Sequence, residues 1–236
     1  MKKLILGATG SIGSSLAKKI IADGGEVHLV GRDAKSLSEL ASELDSSFTT
    51  CDVLEENFSE KIFNDLGDTP INGLAYCVGS IDLKPIKMTK KSDFMQSFNL
   101  NLVSATEIIR RSSDSLKQNK GSIVLFSTVA VRRGFTNHSI VASAKGALEG
   151  LTVSLAAEFA PNIRVNCIAP SLTKSKISSF LLKNEKIAES IAKMHPLKRL
   201  GEGHDSSSVA NFLLSDSSSW ITGQILGVDG GRSSLT

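Results

Sequence analysis

The sequence predicts an α/β protein with a doubly wound, seven-stranded parallel sheet and helices on both faces. Short apolar runs alternate with longer segments of helical period along the 236 residues, and this alternation is typical of right-handed β-α-β units. The runs are rich in Val, Ile, Leu and Phe at successive positions, as strands covered on both faces should be. The sequence has no repeat, low-complexity tract or Pro/Gly-rich linker, so we expect one domain over residues 1–236.

The seven predicted strands are apolar runs of four to eight residues. In chain order they are KLILG (3–7), VHLV (27–30), SFTTC (47–51), INGLAYCV (71–78), SIVLFS (122–127), IRVNCI (163–168) and QILGV (224–228). Six segments in which apolar residues recur with the helical period predict the helices. They lie at about 11–23, 35–44, 92–118, 137–160, 176–194 and 204–215. Because ligands of such sheets bind beyond the carboxyl ends of the strands, functional residues should follow the strands directly.

Composition and charge exclude several classes of protein. Hydrophobic residues make up 41 % and charged residues 22 %, a balance that excludes disordered and fibrous proteins. A net charge of +3 is too small to make nucleic acid the main partner. Apolar runs stay well below the ~20 residues that cross a membrane, and the apolar start is too short for a signal peptide. We therefore expect a cytoplasmic protein without a membrane partner.

Three cysteines, Cys51, Cys77 and Cys167, lie far apart in apolar runs that we interpret as strands. An odd number of separated cysteines in such runs predicts buried free thiols in a reducing compartment. We expect neither a disulfide framework nor a metal site.

The segment GATGSIG follows the first predicted strand and leads directly into a helix. Such a turn needs residues with positive φ and a backbone that a pyrophosphate can approach. Plain turns share this glycine pattern, but its place between a strand and a helix favours a dinucleotide site. We expect five residues of the loop to hold the pyrophosphate, namely Gly7, Thr9, Ser11, Ile12 and Gly13.

The end of the second strand favours NADP(H) over NAD(H). An NAD site places a carboxylate there for the adenosine ribose, whereas this sequence has Gly31 followed by Arg32, whose guanidinium suits a 2′-phosphate. Alternatively, Arg32 is a solvated residue paired with Asp33. After the third strand, Asp52 and Val53 are expected to contact the adenine, although Asp52 also suits a turn or a helix cap.

The sequence resembles the short-chain dehydrogenase/reductase family over essentially its whole length. The matching segments are GATGSIG, CDV, YCVGS, FNLNLVSAT, GSIVLFSTVA, SAKGALEGLT, IRVNCIAPS and LKRLGEGHDSSSVANFLLSDSSSWITGQILGVDGG. The resemblance implies a Rossmann-type domain, NAD(P)-dependent oxidoreductase activity on a small molecule, and assembly as a homodimer or homotetramer.

The resemblance also implies roles for single residues. Asn101 matches the asparagine that holds a helix kink and a proton-relay water, and Thr128 takes the place of the serine that polarises the substrate oxygen. Lys145 matches the lysine that binds the nicotinamide ribose, where Gly79 is expected to help position the cofactor. The family's tyrosine, one helical turn before this lysine, is replaced by Val141.

Valine cannot donate a proton, so the sequence leaves the proton source open. The single tyrosine, Tyr76, lies in the fourth predicted strand. His138 shares a helix face with Lys145 two turns away and is a candidate donor. However, Asn137 is expected to cap this helix, and the helix dipole would then disfavour the imidazolium form of His138. Alternatively, His138 is simply a polar residue at an exposed helix start.

A reductase of conjugated thioesters is a second enzymatic hypothesis. The segment VASAK (141–145) resembles peroxisomal-type 2,4-dienoyl-CoA reductases, in which a water delivers the proton. Residues 173–198 would then form a substrate lid suited to an acyl chain on an anionic group. The lid has an apolar stripe of Ile177, Phe180, Leu181, Ile187, Ile191 and Met194, and four lysines, Lys174, Lys176, Lys183 and Lys186. The plainer interpretation is a stripe packed on the core and a solvated basic face.

The third hypothesis is not enzymatic. The protein would bind NADP(H) and act as a sensor through a partner, or be a degenerate subunit of an oligomer. Because function depends on the site rather than on the fold, the sequence alone does not separate this alternative from an oxidoreductase.

Overall fold

The computed structural model describes residues 1–235. Its strands are β1 (Lys2–Leu6), β2 (Glu26–Gly31), β3 (Ser47–Thr50), β4 (Ile71–Tyr76), β5 (Ser122–Phe126), β6 (Arg164–Pro170) and β7 (Ile225–Val228). They form one parallel sheet in the order β3-β2-β1-β4-β5-β6-β7. The predicted seven-stranded parallel sheet is confirmed. The order reverses between β1 and β4, which places the ligand-binding crevice at their carboxyl ends.

The helices are α1 (Ser11–Ala22), α2 (Ala34–Glu43), α3 (Phe58–Leu66), α4 (Lys91–Phe98), α5 (Ser104–Gln118), α6 (Ser139–Phe159), α7 (Ser179–Leu182), α8 (Glu185–Lys193) and α9 (Gly203–Leu213). The continuous helix expected at 92–118 is wrong, because a π-helical turn at Asn99–Val103 separates α4 from α5. The segment at 176–194 likewise forms two short helices. Helix α3 was not among the predicted helices, although Phe58, Ile62 and Leu66 are buried at a spacing of four residues.

Each face of the sheet carries its own hydrophobic core, so the predicted helices on both faces are confirmed. Successive residues of β1 alternate between the two cores: Leu4 and Leu6 face α3, α5 and α6, whereas Ile5 faces α1, α2 and α9. All three are fully buried. Burial of such a side chain stabilises the fold by about 1.5–3 kcal/mol, and the period-two alternation explains why successive residues of β1 from Leu4 onwards are all apolar.

The three cysteines are free thiols. Cys167 lies within β6 and is buried, as expected. Cys51 and Cys77, however, follow β3 and β4 rather than lying in them, and Cys77 is only half-buried. Burial raises the pKa of the Cys51 thiol to about 11 and that of Cys77 to about 12.

By length and composition alone, α6 is apolar enough to cross a membrane. In the fold it packs against β6, and residues on two of its turns, Ile140 and Leu148, are fully buried. The apolar character of α6 is therefore explained by its position in the core.

Helix α9, from the last part of the chain, contacts α1, from its first part. It packs along α1, where the Ser15 and Ser207 hydroxyls lie 2.8 Å apart. A Cβ atom on Gly203 would lie 2.2 Å from the Ser11 carbonyl oxygen, so α9 can approach this closely only with glycine there. Ser11 is also the first residue of α1. The position of the start of α1 therefore depends on the packing of α9.

Candidate active site

The glycine loop between β1 and α1 provides a place for an anion. Gly7 has a φ of +75°, and a Cβ atom there would lie 2.9 Å from the Cys77 carbonyl carbon. A Cβ atom on Gly13 would lie 2.3 Å from the Gly7 carbonyl oxygen. Helix α1 has Gly10 as its N-cap, with neither a side-chain cap nor an acidic residue in the first turn. The helix start thus presents backbone N–H groups and a positive dipole to an anion such as a pyrophosphate.

The structure brings Arg32 and Asp52 together beyond the ends of β2 and β3. The Arg32 Nη1 atom lies 3.9 Å from Asp52 Oδ2, and 81 % of the Arg32 side chain is exposed. Asp33 instead caps α2 by accepting a hydrogen bond from the Ser36 N–H. The pairing of Arg32 with Asp33 is therefore wrong, because Asp33 is held by the helix. The Arg32 guanidinium remains accessible to a ligand.

Asp52 and Val53 occupy the turn after β3. The Asp52 Oδ1 atom accepts a hydrogen bond from the Leu54 N–H at 3.0 Å, so Asp52 is a turn residue, as the alternative interpretation expected. Val53 is buried, and its carbonyl oxygen accepts from the Ser104 hydroxyl at 2.8 Å. Thr9 lies beside the end of β2, where a Cβ atom on Gly31 would be 3.6 Å from its hydroxyl.

Lys145, Asn101 and Gly79 meet next to the end of β4. A Cβ atom on Gly79 would lie 3.0 Å from Lys145 Nζ and 3.1 Å from Asn101 Oδ1. In the π-helical turn, Asn101 donates from Nδ2 to the Ser97 carbonyl, while its Oδ1 is buried without a hydrogen-bond partner. Lys145 Nζ donates to the Val78 carbonyl at 3.4 Å. A buried acceptor without a partner, beside an ammonium group, suits a water or a ligand hydroxyl.

Burial favours the neutral form of the Lys145 amine. Its side chain is 6 % exposed, and this burial lowers its pKa to about 8, against a smaller opposing effect of the Cys167 and Cys77 thiols. Depressed lysine pKa values are common at functional sites, and here the amine lies at the wall of a cavity.

A cavity of about 490 Å³ opens beyond the ends of β4, β5 and β6. Outside the glycine loop, five predicted site residues line it: Gly79, Thr128, His138, Val141 and Lys145. Ile12 of the glycine loop lines it as well, which joins the candidate cofactor site to the cavity. The Thr128 hydroxyl oxygen accepts from the Ala130 N–H at 3.3 Å, and its proton is left to donate towards a ligand.

The segment at 173–198 covers this cavity only in part. Four side chains of the apolar stripe line the cavity, namely Ile177, Leu181, Ile191 and Met194. The other two, Phe180 and Ile187, are each 50 % exposed and lie outside the lining. The four lysines of the segment are exposed, and Lys174 pairs with Glu202 at 3.2 Å.

Position 141 places an apolar side chain one helical turn before Lys145 in the cavity wall. Tyr76 cannot act there, because it is fully buried in β4 and donates its hydroxyl to the Leu100 carbonyl at 2.6 Å. Burial also raises its pKa strongly.

The expected cap of α6 is wrong. Asn137 lies in a turn with a φ of +67°, and His138 itself is the N-cap residue, without a side-chain cap. The His138 Nδ1 atom lies 2.8 Å from the Thr136 carbonyl oxygen. His138 is half-buried at the rim, where it lines the cavity.

A family model described as enoyl-(acyl carrier protein) reductase matches residues 7–233 of the chain. A tropinone reductase homologue of Arabidopsis thaliana is 33 % identical over 238 residues, covering 97 % of this chain and 90 % of the relative. L-xylulose reductase of Bos taurus is 32 % identical over 235 residues, covering 98 % and 95 %. The chain belongs to the short-chain dehydrogenase/reductase family of oxidoreductases.

Solved structures agree with this assignment. The short-chain dehydrogenase/reductase fold described here superposes on ElxO with NADP bound at a TM-score of 0.90, with 26 % identity and coverage of 98 % of each chain. ElxO thus carries a nicotinamide cofactor on the same fold.

A hydrogen-bonded pair of cavity residues in this short-chain dehydrogenase/reductase was absent from the predicted set. Ser171 follows β6, and His195 follows α8 and is 2 % exposed. The Ser171 Oγ and His195 Nε2 atoms lie 2.8 Å apart. Ser171 lies three residues beyond the predicted strand 163–168, a region where functional residues were expected, whereas no spacing pattern marks His195.

Proposed function

We propose that this protein is an NADP(H)-dependent reductase of a small carbonyl compound or a conjugated enoyl or dienoyl thioester. The observation that carries the proposal is the convergence of Lys145 Nζ and Asn101 Oδ1 on Gly79 beside the cavity. The exposed Arg32 at the end of β2, with glycine rather than a carboxylate before it, supports NADP(H) over NAD(H). A binding-only sensor is not favoured, since the relatives above are named as a reductase and a reductase homologue.

The residues around the crevice fit a dinucleotide. The loop residues Gly7, Thr9, Ser11, Ile12 and Gly13 would hold its pyrophosphate. Arg32 would bind the 2′-phosphate, Asp52 and Val53 would contact the adenine, and Gly79 and Lys145 would bind the nicotinamide ribose. The bound cofactor would supply a hydride to the substrate.

Side chains at the cavity would act on the substrate oxygen and its proton. Thr128 would donate its hydroxyl proton to the developing oxyanion, and Asn101 Oδ1 would hold a water beside Lys145. Because Val141 stands at the family's tyrosine position, the proton must come from a group other than a phenol on α6. His138 is one candidate at the rim, but it is half-buried and lies at the positive end of α6.

The lid favours an apolar substrate on an anionic carrier. The lining of Ile177, Leu181, Ile191 and Met194 would contact an acyl chain, while exposed Lys176, Lys183 and Lys186 would attract the carrier. Phe180 and Ile187, which face solvent, would complete the apolar contact if the lid closes over a bound chain.

Calorimetric titration with NADPH, and with NADH as its comparison, tests the cofactor site first. We expect micromolar or tighter binding of NADPH and weaker binding of NADH. Oxidation of NADPH at 340 nm with carbonyl and enoyl-thioester acceptors then tests hydride transfer. No binding of either nucleotide would refute the proposal, and tight binding without reduction of any acceptor would leave the sensor hypothesis.

Replacing Arg32 by alanine should weaken NADPH binding by about 10- to 100-fold, the value of one or two charge-assisted hydrogen bonds. NADH binding should change by less than about threefold, because NADH lacks the 2′-phosphate. Calorimetry with both nucleotides measures the two effects. Arg110→Ala, which removes an exposed arginine paired with Glu107 on α5, is the control. Equal losses for both nucleotides would show that Arg32 does not bind the 2′-phosphate.

Val141→Tyr should raise the rate of carbonyl reduction by about tenfold or more. The new phenol would lie one turn from Lys145, whose ammonium lowers the pKa of a nearby phenol. Steady-state rates with an aromatic 1,2-diketone measure the gain, and Ser143→Tyr, at an exposed position of α6, is the control. An unchanged rate in a folded Val141→Tyr variant would show that this valine does not occupy the site of the missing acid.

We also propose that the protein is a cytoplasmic homodimer or homotetramer. Large apolar side chains remain exposed on the single chain: Val103 is 52 %, Val153 51 % and Trp220 99 % exposed. Such side chains are commonly covered in oligomers. Light scattering of the purified protein measures its mass in solution.

A further inference from the structure

A hydrogen-bonded pair of a half-buried serine and a buried histidine lies in the wall of the cavity. Ser171 Oγ and His195 Nε2 are 2.8 Å apart, and both residues line the cavity. His195 is 2 % exposed. We propose that Ser171 and His195 form a proton relay, in which Ser171 exchanges the proton with the substrate and His195 exchanges it with Ser171. This inference rests on the reductase proposed above.

The hydrogen bonds determine which ring nitrogen carries a proton. His195 Nδ1 lies 2.9 Å from the Ile191 carbonyl oxygen, and a carbonyl oxygen can only accept. Nδ1 is therefore protonated, and in the neutral ring Nε2 accepts the hydroxyl proton of Ser171. A hydroxyl hydrogen-bonded to a fixed imidazole, itself oriented by a third group, can exchange a proton with that imidazole.

The backbone holds the ring in this orientation. Its Nδ1 bond is to α8, and the turn after β7 packs on its other side, where a Cβ atom on Gly230 would lie 3.6 Å from His195 Cβ. The Leu197 N–H donates to the Gly230 carbonyl at 3.2 Å. An imidazole fixed on two sides can pass a proton to one partner without rearranging.

Ser171 also lies at the edge of the sheet where the cavity opens. It follows the end of β6, and β6 pairs with β5, which ends just before Thr128. The serine and the threonine thus line one cavity from neighbouring strand ends, together with Val141. Thr128 lies where it can bind the substrate oxygen, while Ser171 supplies the exchangeable proton that Val141 cannot.

The other candidate donors fit less well. Lys145 Nζ donates a hydrogen bond to the Val78 carbonyl and lies near Asn101. This is the side of the cavity that the cofactor ribose would occupy. His138 lies at the rim and is half-buried. His195 is the described histidine that is both buried and hydrogen-bonded to a cavity hydroxyl.

Protons and electrons balance over one turnover of the proposed reaction. The substrate gains a hydride, with its electron pair, from NADPH, and the resulting oxyanion or enolate takes the Ser171 hydroxyl proton. The relay starts from the His195 ring protonated on both nitrogens, in which Nε2–H donates to Ser171 Oγ and leaves the hydroxyl proton free for the substrate. Ser171 then recovers a proton from Nε2, and the ring becomes the neutral Nδ1–H form. Water entering the open cavity returns one proton through Ser171 to His195 after product leaves. NADPH is oxidised, the substrate is reduced, and one solvent proton is consumed.

Substitution of the pair tests the relay. We expect Ser171→Ala and His195→Gln each to lower kcat by about 100-fold, measured with NADPH and either 9,10-phenanthrenequinone or a crotonyl thioester of N-acetylcysteamine. The KM of the probe and the Kd of NADPH should stay within about threefold. Ser171→Thr, which restores a hydroxyl, should recover most of the rate. The exposed Ser143→Ala and His204→Gln are the matched controls.

Nuclear magnetic resonance provides a readout that does not depend on turnover. With ¹⁵N-labelled histidine, the neutral His195 ring should be protonated on Nδ1, and Ser171→Ala should shift its Nε2 resonance. A neutral ring whose single proton is on Nε2 instead of Nδ1 would overturn the relay. An unchanged kcat in Ser171→Ala, with NADPH binding intact, would overturn the relay alone. Failure of the wild-type protein to bind NADPH would instead overturn the proposed function on which the relay rests.

Discussion

Replacing Gly13 by alanine should abolish NADPH binding and destabilise the fold. The new Cβ atom would lie 2.3 Å from the Gly7 carbonyl oxygen, and this oxygen cannot move freely, because it accepts from the Gly10 N–H at 3.0 Å. The loop must shift as a whole, which should weaken NADPH binding more than about 100-fold, since the pyrophosphate contacts depend on backbone N–H groups. Crowding of this kind costs about 1–3 kcal/mol in the free energy of unfolding.

Gly150→Ala is the matched control for this prediction. Gly150 lies in α6, and a Cβ atom there would meet no atom within 4 Å. The same glycine-to-alanine change should therefore raise the free energy of unfolding by up to about 1 kcal/mol through helix propensity. It should leave the affinity for NADPH unchanged. Calorimetry and urea unfolding measure both effects. Normal NADPH binding by the Gly13→Ala variant would show that the cofactor does not use this loop.

Replacing Lys145 by methionine should separate activity from stability. The rate of NADPH oxidation should fall by about 100-fold or more, and NADPH should bind about tenfold less tightly, because a charged hydrogen-bond donor is lost. The thermal unfolding midpoint should stay the same or rise, because the buried amine no longer has to be desolvated when the protein folds.

Lys117→Met, at an exposed position of α5, is the control for this substitution. It should leave the rate and the unfolding midpoint unchanged. If Lys145→Met lowered the unfolding midpoint and the rate together, the lysine would be a structural residue, and its proposed contact with the ribose would be refuted.

The sheet could be predicted because its central strands are covered on both faces and are therefore largely apolar. The helices were harder to predict where tertiary structure overrides the helical period. The π-helical turn around Asn101 interrupts a segment whose pattern continues from α4 into α5. Helix α3 is nine residues long, and such a short helix depends on packing rather than on its own propensity.

In the site, residues close to each other in sequence could be predicted, and distant ones could not. Gly7 and Gly13 belong to one short loop, so their spacing alone indicates a close backbone approach. Ser171 and His195 are 24 positions apart. They meet only because the segment that contains α8 folds back towards the end of β6. The cap of α6 depends on the left-handed backbone of Asn137, which preferences of single residues do not determine.

The contact of Gly203 with Ser11 has a consequence for the order in which the protein forms. During synthesis the glycine loop leaves the ribosome first, yet its packing partner, α9, is made almost 200 residues later. Domains generally fold as units, so the nucleotide loop should acquire its final rigidity only when α9 docks. A nascent chain that pauses before α9 would contain the complete glycine motif but lack the support that holds it in place.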